Sequence, residues 1–218
     1  MSGPKKRPYK SLARERQAND TRQRIVTATR ELLETDGYAG MTIEAIAQRA
    51  EVSAPSVYAI FKSKAGILAE LMDQSSFGPE YNDAVEEALN MEDPEARLRL
   101  AARIARQIHD AQALTFDLLR GAGVVAPDLA KLEQRRERLR YERQQAMIGF
   151  LRDAGRLRPE LEYRMARDIF WVLTGRDIYR MLVRERGWTP QQYQEWLGDA
   201  LVRALMSPKR SGSVRHRR

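Results

Sequence analysis

The densest run of residues with chemistry to offer lies between Thr42 and Lys64. Thr42 and Ser53 are good N-caps, and each stands before a short run with apolar residues at helical spacing. Two short helices joined by a tight turn at Glu51-Val52 form a helix-turn-helix plan. The second helix of such a pair fits the major groove of double-stranded DNA. Here it would turn Val57 and Phe61 inward, together with Val52 from the turn, and leave Ala54, Pro55, Ser56, Tyr58 and Ala59 outward. Small residues on that face permit close approach to base edges, and the Tyr58 hydroxyl can donate to a phosphate oxygen. Lys64 falls in the first turn of the next helix, where a cation opposes the helix dipole. A phosphate shared between Lys64 and the helix amides would relieve that misfit. Spacing alone fits an ordinary helical hairpin equally well, with a tyrosine at the core edge and a lysine on the surface.

Catalytic kits are scarcer. Cysteine is absent, and histidine occurs only at positions 109 and 216. No disulfide or cysteine-based zinc site can form. A Ser-His-Asp triad would need His109 or His216, the third residue from the chain end. No metal and no cofactor are predicted. The net charge of +8 is unevenly placed: residues 1–30 carry +7, residues 207–218 carry +5, and the body between them is acidic at −4. Two basic ends on an acidic body suggest a polyanionic partner, or tails that are only solvated. No apolar run approaches the ~18 residues of a membrane span, and no secretory h-region is visible. A cytoplasmic protein without a membrane partner is predicted.

The elements that would position these residues are helices throughout. Apolar residues recur at helical spacing between proline and glycine marks, and no alternating strand pattern is found. A first helix is predicted over 21–36, with Ile25, Ala28, Leu32 and Leu33 on one face and Gly37 as its left-handed stop. The two helices of the hairpin follow, and Ser63 caps a fourth carrying Leu68, Leu71 and Met72. Beyond Pro79 the helices lengthen. One opens at Pro94 with Leu98, Ala101, Ala105 and Ile108 inward, and another covers 112–120. A long one runs from Pro127 to about Ala154, with Leu129, Leu132, Leu139 and Ile148 inward. A further helix over 165–186 carries Met165, Ile169, Val172, Leu173 and Met181. The last, over 189–206, bears an almost unbroken stripe of Tyr193, Trp196, Leu197, Ala200, Leu201, Ala204 and Leu205. The predicted organisation is a basic, disordered arm (1–20), a helix-turn-helix domain (21–74), a larger helical domain (79–206) and a basic, disordered tail (207–218).

Residues 21–71 resemble the DNA-binding domain of the TetR family of bacterial transcriptional regulators. The resemblance is carried by Thr21-Arg-Gln-Arg-Ile25, Leu32-Leu33, Gly37-Tyr38, Met41-Thr42-Ile43, Ile46-Ala47, Ala50, Val52-Ser53, Val57-Tyr58, Phe61, Ser63-Lys64 and Leu68. It implies DNA contacts from Thr42, Ser53, Ala54, Pro55, Ser56, Tyr58 and Lys64. Arms such as the one holding Lys5, Lys6 and Arg7 can follow DNA into its minor groove in similar regulators. Three departures stand out. Glu51 occupies a usual glycine position, Pro55 sits in the first turn where its missing N–H is tolerated, and Ile60 replaces a common phosphate-contacting Tyr or His. No Arg, Asn or Gln between Ala54 and Phe61 offers bidentate base reading.

The resemblance also implies a four-helix dimer interface from the last two helices, here expected to use Ile169, Met181, Tyr193, Trp196, Leu197, Ala200, Leu201 and Leu205. It further implies a small-molecule pocket among the middle helices, for which His109, Phe116, Arg120, Tyr141, Trp171 and Arg176 are candidates. The reading is an all-α, two-domain, non-enzymatic regulator. It would bind a roughly palindromic operator as a homodimer, act as a repressor, and be released by an unidentified effector. The rival reading is an all-α enzyme using Asp/Glu chemistry with an incidental helical hairpin; a second is a membrane-surface protein using its basic ends.

Overall fold

The computed structural model describes residues 9–76, 79–119 and 126–208. Among these residues every regular element is helical: α1 (Tyr9–Gly40), α2 (Ile43–Arg49), α3 (Ala54–Phe61), α4 (Lys64–Ser76), α5 (Pro79–Asn90), α6 (Pro94–Leu119), α7 (Pro127–Asp153), α8 (Tyr163–Leu173), α9 (Arg176–Tyr179), which continues as a π-helical turn over Arg180–Glu185, and α10 (Pro190–Leu205). The chain divides into two compact units. The first comprises residues up to Ser75 together with Gln112–Glu133, and the second comprises Ser76–Ala111 together with the chain from Gln134 onward. The predicted domain boundary near 74–79 is therefore incomplete, because the N-terminal unit also takes a later piece of chain.

In the first unit, Ile25, Val26, Ala28, Leu32 and Leu33 of α1 pack with Ile43, Ile46, Val57, Phe61, Leu68 and Leu71. Leu129, from the inserted piece, is fully buried in the same core. Gly37 has φ 68 and ends the main run of α1, as its lack of a Cβ allows. Gly66 is required by contact: a Cβ there would lie 2.1 Å from the Phe61 carbonyl oxygen, where α3 turns into α4. Arg22 closes the unit from outside, bonding Glu70 at 2.9 Å and lying over the Phe61 ring.

Several expectations are corrected. Residues 9–20 are helical rather than a disordered arm. The first helix, expected to begin at Thr21, begins earlier, and the Thr21 hydroxyl donates back to the Gln17 carbonyl at 2.9 Å inside it. The helices expected over 94–108 and 112–120 are one, α6, since no proline or glycine interrupts them. Helix α5 was not anticipated.

The second unit has its own core from Leu98, Ala102, Ala105, Ile148, Leu151, Ala166, Phe170, Tyr179, Tyr193, Leu197, Leu201 and Leu205. The helix predicted over 165–186 is broken at Thr174-Gly175. Leu139, Met165, Val172 and Met181, expected inward, are exposed. Helix α10 starts in a capping box: the Thr189 hydroxyl accepts from Gln192 N–H at 3.1 Å, and the Gln192 side chain accepts from Thr189 N–H at 2.8 Å. No helix among the described residues is long and apolar enough to cross a membrane.

Candidate functional site

The α2–α3 pair is built by its caps. The Thr42 hydroxyl accepts from Ala45 N–H at 3.1 Å, and the Ser53 hydroxyl accepts from Ser56 N–H at 3.3 Å. Ser53 and Ser56 also share a hydroxyl–hydroxyl bond of 2.8 Å. The turn between the helices closes with Val52 N–H bonding the Ala47 carbonyl at 2.9 Å. It places Glu51 at φ 53, a left-handed conformation that glycine adopts without cost and glutamate does not. The usual glycine at this position thus has a backbone reason, and this chain meets the same geometry with a side chain attached.

With Val57 and Phe61 buried, α3 shows Pro55, Tyr58 and Ala59 to solvent, and Ser56 is half-buried. Tyr58 is 49% exposed, a large aromatic left outside by an otherwise apolar-in helix. Thr42 and Ser53 stand exposed at the two helix starts. Ala54 differs from its expected outward place: it packs against the core, as does Ile60. Lys64 also departs from expectation. Its ammonium donates to the Tyr38 carbonyl at 2.7 Å and sits 3.7 Å from the centre of the Tyr38 ring. Burial holds its pKa below the usual lysine value. Lys64 therefore satisfies an orphan carbonyl beyond the Gly37 turn of α1, a role that 26 residues of separation hide from a sequence reading. Lys5, Lys6 and Arg7 lie outside the described residues.

The effector candidates divide. Arg120 lies outside the described residues, and nothing is assigned to the Phe116 side chain. Tyr141 and Trp171 meet edge to face at 6.4 Å, held by Tyr141–Asp168 and Trp171–Glu137 hydrogen bonds of 2.8 and 3.1 Å. Arg176 is half-buried near the start of α9. His109 is buried in a polar cluster that the sequence reading largely missed. Its Nε2 donates to the Thr174 carbonyl at 3.1 Å. Its ring lies 5.3 Å from Tyr179 and 6.4 Å from Tyr193. Burial, then the positive charges of Arg140 and Arg176, push its pKa down to about 4, so the ring is neutral at pH 7. Tyr179 donates to Asp110, which Arg106 also holds at 2.7 Å. Thr174, at the α8–α9 break, accepts from Gln144 at 2.8 Å and Arg140 at 3.2 Å. Tyr179 and Tyr193 look in the sequence like members of apolar stripes; two hydroxyls inside a core were the available signal.

The expected dimer stripe on α10 is also corrected. Tyr193, Leu197, Leu201 and Leu205 are fully buried within their own unit, so they cannot face a partner. Trp196, Ala200 and Ile169 are half-buried, and Met181 is 39% exposed.

Two short helices, each with a capped start and joined by a tight turn, with the second exposed on a compact helical unit, form a helix-turn-helix arrangement. Residues 25–71 match the family model described as bacterial regulatory proteins, tetR family. The fold of the whole chain is found in several solved structures. NalD, the secondary repressor of the MexAB-OprM multidrug efflux pump in Pseudomonas aeruginosa, is 21% identical with a TM-score of 0.64, over 88% of this chain and 99% of that one. A TetR transcription regulator from Haloarcula marismortui is 17% identical with a TM-score of 0.63, over 87% and 100%. The fatty acid degradation regulator FadR from Bacillus halodurans is 17% identical with a TM-score of 0.61, over 98% and 100%. No curated protein matches the chain. The match over residues 25–71 is to that family's N-terminal domain, and the chain shares its fold with these solved structures.

Proposed function

We propose that the protein is a homodimeric repressor that sits on a roughly palindromic operator and is released when a small molecule binds its second unit. The observation that carries the DNA contact is the exposed face of α3. Pro55, Ser56, Tyr58 and Ala59 lie there between two capped helix starts, with Thr42 and Ser53 at the ends. Base reading by this face rests on apolar contact with thymine methyls, on Ser56 and on DNA shape. The dimer reading is supported by Met165, Ile169 and Val172. They fall at i, i+4 and i+7 on α8, and Met165 and Val172 are 53% and 49% exposed, an apolar stripe that the protomer does not cover itself. Two-fold symmetry would then present two copies of α3 to successive major grooves, roughly 34–36 Å apart. Release requires a ligand that prefers the conformation unable to bind DNA.

Fluorescence anisotropy against DNA from directly upstream of the protein's own gene tests the reading, with selection from random DNA if that fragment fails. Specific binding should exceed binding to random DNA by about 10³ or more and weaken steeply with salt. Tyr58→Phe, which removes one exposed hydroxyl, should lower affinity by about tenfold. Sequence-blind binding after selection would defeat the proposal.

A further inference from the structure

Among the buried side-chain polar atoms of the described residues that have no partner, three belong to one cluster around Thr174 and Tyr179: His109 Nδ1, Tyr193 Oη and the Gln144 side-chain oxygen. His109 is 8% exposed and Tyr193 is fully buried. Buried polar groups are almost always paired, so three unpartnered atoms within one cluster call for an explanation. Their chemistry is fixed by bonds already made. His109 commits its proton to the Thr174 carbonyl through Nε2, which leaves Nδ1 a lone-pair acceptor. Gln144 donates its amide nitrogen to the Thr174 hydroxyl, which itself donates to the Phe170 carbonyl at 2.7 Å. The Gln144 oxygen is therefore an acceptor too. The Tyr193 hydroxyl can give one hydrogen bond and take others.

The walls around these atoms are aromatic. Tyr179 lies 5.0 Å from Tyr193 in an edge-to-face pair, and Trp196 lies 6.3 Å beyond it. Arg106 bonds Asp110 and Arg140 bonds Glu137, each at 2.7 Å, and Arg176 also sets its charge near His109. Two acceptors, one hydroxyl and flat π-faces match an uncharged aromatic ring that carries a hydrogen-bond donor.

We propose that this cluster binds a neutral phenol or aryl amine, whose O–H or N–H donates to His109 Nδ1 while its heteroatom accepts from the Tyr193 hydroxyl. The Gln144 oxygen takes a second donor where the ligand has one. The proposal names the effector class for the regulator described above and rests on that reading only for its consequence at DNA. The break at Thr174-Gly175 and the π-helical turn beside Tyr179 give the site adjustable edges, because neither keeps the regular helical hydrogen-bond ladder.

Isothermal titration of the full-length protein with 4-methylphenol is the test, with toluene, benzoate and choline as comparisons. The expected result is saturable binding of 4-methylphenol, with toluene weaker by at least about tenfold because it leaves the buried acceptors unmet. Tyr193→Phe removes only an unpartnered hydroxyl. It should weaken 4-methylphenol by at least about tenfold while the thermal midpoint stays level or rises. His109→Phe should weaken it as well. Equal binding of toluene, preferred binding of benzoate or choline, no binding by any probe, or unchanged affinity in Tyr193→Phe would overturn the proposal. Operator anisotropy is read in parallel. Probe binding without operator release would leave the site standing and defeat release by this ligand. Loss of operator binding altogether would defeat the regulator reading without touching the titration.

Discussion

Glu51, Lys64 and His109 each show what a single side chain is asked to do by its surroundings. The left-handed turn at Glu51 is legible in the sequence as a departure from glycine, since the tight turn's backbone need is local. The Lys64–Tyr38 bond is not legible, because only folding brings position 64 to the end of α1. His109 is half satisfied: one ring nitrogen is paired and the other is not. Its titration makes an expected outcome. Asp110, Tyr179, Tyr193, Arg140 and Arg176 surround the ring, and its pKa falls from 6.5 to about 4 on folding. The unfolded chain therefore binds the proton more tightly. Stability from this group is complete above pH 6.5 and is lost as pH falls toward 4, by about 3 kcal/mol. Glu70, whose pKa is lowered by Arg22, pulls in the same direction at lower pH. Urea unfolding at pH 7 and pH 4.5 should show the slope, and His109→Phe should flatten it. An equally steep slope in the variant would mean that other groups carry the acid sensitivity.

At the scale of elements, caps were readable and coverage was not. Thr42, Ser53, Ser63 and Thr189 bond the amides beside them, a matter of three residues each, and all four helix starts follow from residue type. The stripe on α10 was equally plain, yet periodicity says only that a face is apolar, not what lies against it. The core of its own unit covers Tyr193, Leu197, Leu201 and Leu205, and the uncovered apolar face is on α8 instead. Ser53 supplies the element-scale test. Ser53→Ala removes the cap of α3 and the bond to the Ser56 hydroxyl, and should lower stability by about 1 kcal/mol. Equilibrium unfolding measures this, and operator affinity should fall with it because the start of α3 is no longer held. An unchanged unfolding midpoint would show that Pro55 in the first turn suffices to start the helix.

For the whole molecule, the all-helical class was available from spacing along the chain, and the helix-turn-helix from residues 21–71, where spacing, caps and turn agree. The division of the chain was not, because the N-terminal unit recruits Gln112–Glu133 from far along the sequence, and no local pattern reports such recruitment. Self-association is the matching test. Met165 and Val172 are both exposed, so Met165→Glu with Val172→Glu should leave folding within about 0.5 kcal/mol of the parent. Sedimentation should report twice the 25.1 kDa chain mass for the parent and the single chain mass for the variant. A variant that remains double would put the interface on another face.

The recruited piece sets a limit on how this protein can be recombined. A sensor made by joining the DNA-reading part of one regulator to the ligand-reading part of another is normally cut where the first part ends in sequence. A cut after Ser75 would leave behind Leu129, which is fully buried among Ile25, Leu32 and Leu68, and Asp128, whose charge helps raise the Tyr38 pKa. The graft would carry an open core into its new host. A working exchange has to move two pieces of chain together, the N-terminal stretch and the block from Gln112 to Glu133, and the second must be set into the new partner's own helices without a shift in register.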